Sequence, residues 1–306
     1  MAKCSFCDQD AIIYQPYSCK LFCGKHLSDL TEKRVGSNMR KYGMVRNRSR
    51  IGVAVSGGKD SLTMLYIMHR LLRKDRSRRL IAITVDEGIR QYREKGIECT
   101  RELCDKLGVE HHVYSFSDFA VEMDILMREP RADPCSYCGV FRRWVLNHVA
   151  KEHRLDAIAI GHNLDDVVQT FQMNIMRNEP VRIARYKPNG GLVSCDEFVP
   201  RIRPLFSIPE REIITYALHN KIKFHRDRCP YAGFALRNPV REFINMMEEK
   251  YPGTKFRMLN TYLSLIDKLP VEEYKALVKC NKCGEPSSTK TCKRCTLLSS
   301  ISKKNM

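Results

Sequence analysis

Residues 51–62 read IGVAVSGGKDSL, and this stretch decides the fold class. The apolar run from Ile51 to Val55 has the length and composition of a short buried strand. The segment SGGKDS follows at residues 56–61, and apolar residues then recur at helical spacing, at Leu62, Leu65 and Leu72. A glycine-rich turn before a helix presents backbone N–H groups to an anion, because glycine permits close approach and the helix dipole favours negative charge. The stretch therefore predicts a phosphate-binding loop between a strand and a helix.

The hexapeptide SGGKDS is too short to be a Walker A loop, which requires the pattern GxxxxGK[ST]. It resembles the signature of the PP-loop ATP pyrophosphatases, a family that cleaves ATP between the α and β phosphates. Lys59 and Ser61 add an ammonium group and a hydroxyl to the backbone donors of the loop. The resemblance therefore implies that this loop binds ATP together with Mg²⁺.

Strands and helices alternate on the C-terminal side of the loop. Apolar runs at 80–85, 109–116 and 156–160 have strand character, and segments with helical patterns separate them. This alternation predicts an α/β fold, with a parallel sheet that helices cover on both faces. Ligands of such sheets bind beyond the carboxyl ends of the strands. We therefore expect the loops after Val55 and Ile160, and the loop after the strand that ends at Val85, to meet in one crevice.

The loop after Ile160 reads GHNLDD over residues 161–166. Its carboxylates, Asp165 and Asp166, are suited to hold Mg²⁺ or to orient a phosphate. The structural alternative is that Asn163 or Asp165 caps the helix that follows. The pattern is compatible with both interpretations.

The chain of 306 residues contains 14 cysteines. Its first residues, MAKCSFCDQD, lack the apolar core of a signal peptide, and no apolar run is long enough to span a bilayer. We therefore expect a cytoplasmic protein that does not enter a membrane. In a reducing compartment so many cysteines indicate metal or redox chemistry and argue against a disulfide framework.

The last cysteines of the chain form two CxxC pairs. Cys280 and Cys283 are followed by eight residues and then by Cys292 and Cys295. Each pair places two thiolates on one side of an ion, so that two pairs complete a tetrahedral Cys4 site. The spacing predicts a structural zinc site.

The first cysteines repeat this logic with an imidazole as the fourth ligand. Cys4 and Cys7 form one CxxC pair, and Cys23 and His26 form a CxxH pair fifteen residues later. Cys19 competes with His26 for the fourth position. We prefer His26, because Cys23-x-x-His26 repeats the two-residue spacing of the first pair. The pattern predicts a second zinc site, which would stabilise a segment too short to fold by apolar burial alone.

A third pair, Cys135 and Cys138, lies mid-chain without a second CxxC nearby. It has the spacing of a thiol–disulfide redox pair or of half a metal site, and chance is the third explanation. The nearest later candidates for a third ligand are Cys195 and Cys229. Cys229 precedes Pro230, and Cys-Pro is a common setting for an iron–sulfur ligand. Spacing alone does not decide among these alternatives.

The chain carries 53 Lys and Arg against 35 Asp and Glu, a formal net charge of +18. Such an excess favours a polyanionic partner. The basic residues concentrate in residues 31–50 and in the helical region after residue 199, which includes Arg201, Arg203, Arg237 and Arg241. Solvated helix faces are the alternative explanation. Because these segments flank a nucleotide loop, we predict an RNA surface that binds phosphates and admits a splayed base into a pocket.

Taken together, these motifs closely resemble the tRNA 2-thiouridine synthetases of the TtuA/NcsA group. The likeness runs from Cys4 to Cys295 and comprises CxxC…CxxH, SGGKDS, the central CxxC, GHNLDD, the isolated Cys-Pro and the terminal CxxC…CxxC. Members of this group replace the 2-oxygen of a tRNA uridine with sulfur. The segment CGVFRR at 138–143 is more similar to the wobble-uridine branch, so that we expect uridine 34 as the target, with uridine 54 as the alternative.

The resemblance implies a role for each matching residue. Cys135, Cys138 and Cys229 would hold a [4Fe–4S] cluster with three thiolates, which leaves one iron open. The catalytic positions would be Lys59, Asp60, Arg142 and Asp166. Arg142 replaces a lysine of some members, and a guanidinium offers charge and hydrogen bonds but does not transfer protons. The implied ATP contacts are Ala54, Ser56, Gly57, Gly58, Lys59, Asp60, Ser61, Val85 and Gly161.

The implied reaction has two steps. Attack of the uridine 2-oxygen on the α-phosphorus of ATP gives an adenylate, and a sulfur species then displaces AMP. The sulfur donor would be free sulfide or a ubiquitin-like thiocarboxylate carrier, and the group implies a homodimer. A PP-loop synthetase of a small molecule and a non-catalytic RNA-binding iron–sulfur protein are the alternatives. The first leaves the zinc motifs and the charge unexplained, and the intact SGGKDS argues against the second.

The predicted organisation is a PP-loop ATP pyrophosphatase core with a helical C-terminal part and a small zinc-binding module at each end. We divide the chain into an N-terminal zinc module (1–30), a basic helical linker (31–50), the PP-loop domain (51–198), a basic helical region that completes the catalytic domain (199–275) and a zinc ribbon (276–306).

Overall fold

A five-stranded parallel sheet lies at the centre of the computed structural model. The structure describes residues 2–75, 77–119, 121, 123, 134–190, 198–227, 229–231, 236–266, 268–269 and 278–302. The strands of the sheet are β3 (Arg50–Ala54), β4 (Arg79–Asp86), β5 (Glu110–Ser115), β6 (Ala157–Ile160) and β7 (Arg201–Ile202). Their order across the sheet is β5-β4-β3-β6-β7, which confirms the predicted parallel α/β architecture.

Helices connect and flank these strands. They are α1 (Gly24–Lys41), α2 (Lys59–Leu72), α3 (Arg93–Leu107), α4 (Pro134–Glu152), α5 (Leu164–Met176), α6 (Pro180–Arg185), α7 (Glu210–His219), α8 (Arg237–Lys250), α9 (Thr254–Leu265) and α10 (Lys293–Ser302). A 3₁₀ turn spans Phe116–Phe119. Two short antiparallel pairs lie near the ends of the chain: β1 (Ile13–Gln15) with β2 (Lys20–Phe22), and β8 (Val278–Lys279) with β9 (Pro286–Ser287).

Successive side chains of the central strands enter different apolar cores. On β4, Ala82 belongs to the first core, whereas Ile81 and Ile83 belong to the second. On β6, Ala159 faces the first core and Ile158 the second. This alternation follows from the two-residue period of a strand. The sheet is therefore buried on both faces, and α4 covers the second core with Phe141, Val145, Leu146 and Val149.

The C-terminal cysteine module packs against α4. Leu297 on α10 is buried in the second core, and the Arg294 guanidinium lies 3.8 Å from the centre of the Trp144 ring. Lys151 Nζ pairs with Glu285 at 3.1 Å. The module therefore braces the helix that carries Cys135 and Cys138.

The proposed division into five segments stays a prediction, and α1 continues across its boundary between residues 30 and 31. Strand β7 is missing from the prediction, because two residues are too short for a detectable pattern. Cys195, a candidate third ligand for the central cysteine pair, lies outside the described residues. Within the described ranges, no helix combines the length and apolar character that crossing a membrane requires.

Candidate active site

A cavity of about 490 Å³ opens at the carboxyl ends of β3, β4 and β6. The loops after these three strands meet in its wall, as the strand order requires, and α4 closes the side next to the second core. Its polar and charged lining comes from Ser56, Asp60, Ser61, Glu87, Arg93, Arg142, Arg143, His162, Tyr186, Arg201 and Arg203. This cavity is the candidate active site.

Hydrogen bonds hold the SGGKDS loop in the shape of an anion cradle. Ser61 Oγ accepts from Ser56 N at 3.0 Å and donates to Gly58 O at 3.0 Å. Gly57 has φ +78°, in the left-handed region, and a Cβ there would lie 2.2 Å from Gly96 Cα. Glycine is therefore required at position 57 both by conformation and by the close approach of α3.

The residues assigned to ATP divide into two groups. Those that line the cavity are Ala54, Ser56, Gly58, Asp60, Ser61, Val85 and Gly161. Gly57 and Lys59 do not line it. The Lys59 ammonium is instead held by Asp60 Oδ2 at 2.8 Å and by Glu210 Oε1 at 2.7 Å. A phosphate that recruits Lys59 must therefore compete with these two carboxylates.

In the GHNLDD loop, some polar residues support the fold and others lie near the cavity. Asn163 caps α5, since its side chain accepts from Asp166 N at 3.0 Å, and its Nδ2 donates to Asp60 Oδ1 at 2.9 Å. Asp165 is buried, where it binds Lys255 Nζ and accepts from Glu210 N at 2.8 Å. Asp165 thus supports the tertiary structure, whereas Asp166 meets Arg237 Nη1 at 3.1 Å near the cavity. Arg237 Nη2 in turn donates to Thr170.

Burial raises the pKa of the Asp166 carboxyl to about 6, although Arg237 opposes the shift, and the nearby Asp60 adds to it. Burial destabilises the ionised form of such a carboxylate, so that an approaching cation lowers its free energy more than that of an exposed carboxylate. Asp166 is therefore the carboxylate of this loop that is best suited to meet Mg²⁺.

In the absence of nucleotide and metal, Asp166→Asn is expected to unfold at a higher temperature than the wild type at pH 7.5, and this difference should shrink as the pH falls from 6 toward 4. Because its pKa is raised in the folded state, Asp166 stabilises the protein as the neutral acid at low pH. That contribution is lost as the pH rises through about 6. Asparagine stays neutral and keeps an acceptor for Asn163 N. Thermal unfolding across this range measures the difference, and a gap between the two proteins that is constant with pH would refute the shift.

A buried carboxylate joins the phosphate loop to the central cysteine pair. Glu87, 1% exposed, binds Arg93 on one side and Arg142 Nη2 at 2.7 Å on the other. Arg93 Nη1 donates to Ser56 O at 3.0 Å, and Arg142 Nη2 lies 3.0 Å from Cys138 Sγ. This chain of contacts fixes the position of Cys138 relative to the nucleotide loop. Glu87 and Arg93 were missed by the sequence analysis, because a single carboxylate after a strand carries no motif.

Cys229 is attached to the same loop from the other side. Its segment lies between α7 and α8, and His225 N donates to Gly57 O at 3.1 Å. Burial first, and then the nearby charges of Cys229 and Glu87, raise the pKa of Tyr92, so that Tyr92 lies in the neighbourhood of both residues. Cys138 and Cys229 also pack against the same second core.

The cysteines assigned to the cluster, Cys135, Cys138 and Cys229, do not converge on one point. Cys135 is exposed, and Cys138 and Cys229 are partly buried. In the described residues, the two terminal groups are the only sets of three or more His, Cys, Asp or Glu whose ligand atoms all lie within 4.8 Å of one another. The ligands of a tetrahedral single-ion site converge within that range, so that these three cysteines do not form such a site as they stand.

At the N-terminal end, Cys4, Cys7, Cys23 and His26 converge. His26 Nδ1 lies 3.4 Å from Cys4 Sγ, 3.5 Å from Cys7 Sγ and 3.4 Å from Cys23 Sγ. Ligands of a tetrahedral zinc with bonds of about 2.0–2.3 Å are separated by about 3.3–3.8 Å, so the group fits zinc. Cys19 is exposed and its Sγ bonds to Pro16 O, so that His26 completes the group.

At the C-terminal end, Cys280, Cys283, Cys292 and Cys295 form the second group. Cys283 Sγ and Cys292 Sγ are 3.6 Å apart, and Cys292 N donates to Cys280 Sγ at 3.3 Å. That backbone hydrogen bond lowers the pKa of Cys280 to about 6. A thiol that ionises readily is a better zinc ligand, since the metal binds the thiolate.

Residues 28–248 match the family model of the PP-loop domain, and residues 3–28 match the N-terminal LIM domain of the 2-thiouridine synthetase TtuA. A probable sulfurtransferase of Methanocaldococcus jannaschii is 36% identical over 95% of this chain and 86% of its own. The tRNA-5-methyluridine(54) 2-sulfurtransferase of Pyrococcus horikoshii is 32% identical over 96% of this chain and 92% of its own.

One solved structure is similar over nearly the whole chain. It is the U34-tRNA thiolase NcsA from Methanococcus maripaludis with its [4Fe-4S] cluster. The TM-score is 0.84 at 32% identity, and the match covers 97% of this chain and 96% of that chain.

Proposed function

The chain belongs to the TtuA/NcsA group of PP-loop sulfurtransferases, and we propose that it is a tRNA uridine 2-sulfurtransferase. In this proposal, ATP activates the 2-oxygen of a tRNA uridine, and sulfur then replaces that oxygen. The observation that carries the proposal is the shared cavity. The phosphate loop forms one wall of this cavity, and α4, the helix that carries the CxxC pair, forms another through Gly139, Arg142 and Arg143.

The phosphate loop binds ATP and stabilises the leaving group. Backbone N–H groups at the start of α2 and the Ser61 hydroxyl face the site where the phosphates lie. When the uridine 2-oxygen attacks the α-phosphorus, the bond to the β-phosphate breaks and charge develops on pyrophosphate. Lys59, released from Glu210, would stabilise that charge. Asp60 and Asp166 are the carboxylates that we assign to Mg²⁺.

The sulfur-transfer side of the site is assigned to Cys135, Cys138 and Cys229, which would hold a [4Fe–4S] cluster. When bound, the cluster supplies an iron that no protein thiolate occupies and that is open to sulfur. Arg142 donates to Cys138 Sγ and is held by Glu87. It therefore positions the thiolate and adds positive charge toward the departing AMP, but it does not act in proton transfer.

We assign uridine 34 as the target, with uridine 54 as the alternative. The segment CGVFRR and the likeness to a U34-tRNA thiolase support position 34, whereas the Pyrococcus relative is named for position 54. Free sulfide and a ubiquitin-like thiocarboxylate carrier remain the two candidate donors. Zinc at both chain ends, a homodimer and a cytoplasmic location complete the proposal.

Thiolation of an unmodified tRNA transcript tests the proposal. The anaerobically purified, iron-loaded protein is incubated with ATP, Mg²⁺ and sulfide, and the tRNA is digested for mass spectrometry. We expect one 2-thiouridine, mapped to position 34, and AMP formed in equal amount. Thiolation at position 54 would correct the target alone. Iron-loaded protein that binds ATP but thiolates neither position, with either sulfide or a carrier, would refute the function.

A further inference from the structure

Three arginines line the cavity without a carboxylate partner. Arg143 lies on α4, Arg201 lies in β7, and Arg203 follows that strand. Arg201 Nη2 donates to Arg143 O at 2.9 Å, and Arg203 Nη1 donates to Lys187 O. Arg201 and Arg203 thus donate to backbone carbonyls, and none of the three arginines forms an ion pair with a carboxylate within the described residues. The other cavity arginines, Arg93 and Arg142, both pair with the carboxylate of Glu87.

Within the described residues, the protein supplies no counter-charge for these arginines. Arg203 is only 8% exposed, and its Nε, like that of Arg201, is buried without a hydrogen-bond partner. Burying an unpaired charge is costly unless a counter-charge completes the site. Burial first, and then the neighbouring Arg143 and Arg203, lower the pKa of Arg201 to about 10. The cluster therefore fits an anion that the chain does not supply.

The cluster is separate from the phosphate loop. Strand β7 lies two strands away from β3, which leads into the loop, and this corresponds to about 10 Å across the sheet. Arg201 is level with Ile158 of β6, and Arg203 follows toward the carboxyl edge, where the loop also lies. A triphosphate held by the loop at α2 leaves the β7 side of the cavity open for a second anion.

Arg203 is also held rigidly. Its guanidinium lies 4.1 Å from the centre of the Tyr186 ring, and the Tyr186 hydroxyl bonds to His162 Nδ1 at 2.8 Å. Burial and the surrounding arginines lower the pKa of His162 to about 3, so that this imidazole is neutral and adds no repulsion to the anion. A guanidinium that is fixed in advance loses little side-chain freedom when it binds a planar pair of phosphate oxygens.

We propose that Arg143, Arg201 and Arg203 form a second anion subsite, which binds the tRNA phosphodiester next to the target uridine. This inference rests on the proposed function and deepens it. The tRNA phosphate would then be fixed on the β7 side of the cavity, and the ATP α-phosphate on the β3 side. The splayed base would lie between these two phosphates. Phosphate contacts set the register of a nucleic acid in this way without reading its sequence.

Two binding measurements without turnover test the subsite. The variants are Arg143→Gln, whose side chain is exposed and does not support the core, and Arg203→Gln. The matched control is Arg73→Gln. Arg73 is exposed and directly follows α2, at the end of that helix that lies away from the carboxyl ends of the strands. Binding of a fluorescent, unmodified tRNA transcript is followed by anisotropy over a series of KCl concentrations. Binding of ATP is measured separately.

We expect each cavity variant to weaken tRNA binding about tenfold, as for a charge-assisted hydrogen bond to phosphate. The slope of log K against log salt should fall by about 0.7–0.9 for each contact that is lost. ATP binding and the Arg73→Gln control should match the wild type. Loss of ATP binding with unchanged tRNA binding would assign the arginines to the nucleotide and overturn the subsite.

Equal tRNA binding by Arg143→Gln and Arg73→Gln would overturn it as well. Should Arg203→Gln fail to fold because Arg203 is buried, Arg143→Gln carries the test alone. Because neither measurement requires sulfur transfer, tRNA that binds through these arginines but is not thiolated would count against the proposed function and not against the subsite.

Discussion

Gly57→Ala is expected to abolish ATP binding and to destabilise the protein by about 3 kcal/mol or more. Gly57 has φ +78°, which an L-residue with a Cβ rarely adopts. The added Cβ would lie 2.2 Å from both Cα and O of Gly96. These are backbone atoms of α3, so that no side chain can rotate away. The loop or the helix must move, and Arg93 on α3 would then lose its contact with Ser56 O.

Gly58→Ala is the matched control for folding. Gly58 has φ −82°, and a Cβ there would meet only Ser56 Oγ, at 3.5 Å. Urea unfolding should therefore show a near-wild-type midpoint for Gly58→Ala and a much lower one for Gly57→Ala. Equal midpoints for the two variants would mean that the approach of α3 to the loop does not constrain position 57.

The parallel sheet and the nucleotide loop could be predicted because their signals are local. The run from Ile51 to Val55 is buried on both faces, and such a run is continuous in sequence. SGGKDS lies between a strand and a helix, and the crevice follows from the strand order of any parallel sheet. The tetrahedral cysteine groups were predictable for the same reason, because ligand spacing within a knuckle is a local property.

The contacts that join distant segments could not be predicted. Glu87 binds Arg142 across the cavity, and no periodicity connects them. The sequence suggests that Lys59 faces the phosphates, yet Glu210, from a helix far along the chain, holds its ammonium group. Asp165 and Asp166 are adjacent and chemically identical. Tertiary contacts with Lys255 and with Glu210 N distinguish Asp165 from Asp166, which meets Arg237.

The largest effect on activity is expected for Cys229, because its segment connects the cysteine set to the nucleotide loop. His225 N binds Gly57 O at 3.1 Å, and Lys95 Nζ binds Asp227 at 2.8 Å. Both anchors precede Cys229 and do not involve its side chain. Loss of the thiol should therefore remove a cluster ligand and leave the loop in place.

Cys229→Ala is thus expected to lose its bound iron and to thiolate tRNA at least about 100-fold more slowly, while ATP binding stays near that of the wild type. The magnitude follows because loss of even an outer partner of a metal ligand costs about 10–100-fold. Anaerobic purification, iron analysis, the absorption spectrum and ATP binding measure these effects.

Cys19→Ala is the matched control, since that thiol is exposed and lies outside the zinc group. Wild-type iron content and thiolation in Cys229→Ala would remove Cys229 from the mechanism. Loss of ATP binding would instead show that its side chain supports the loop.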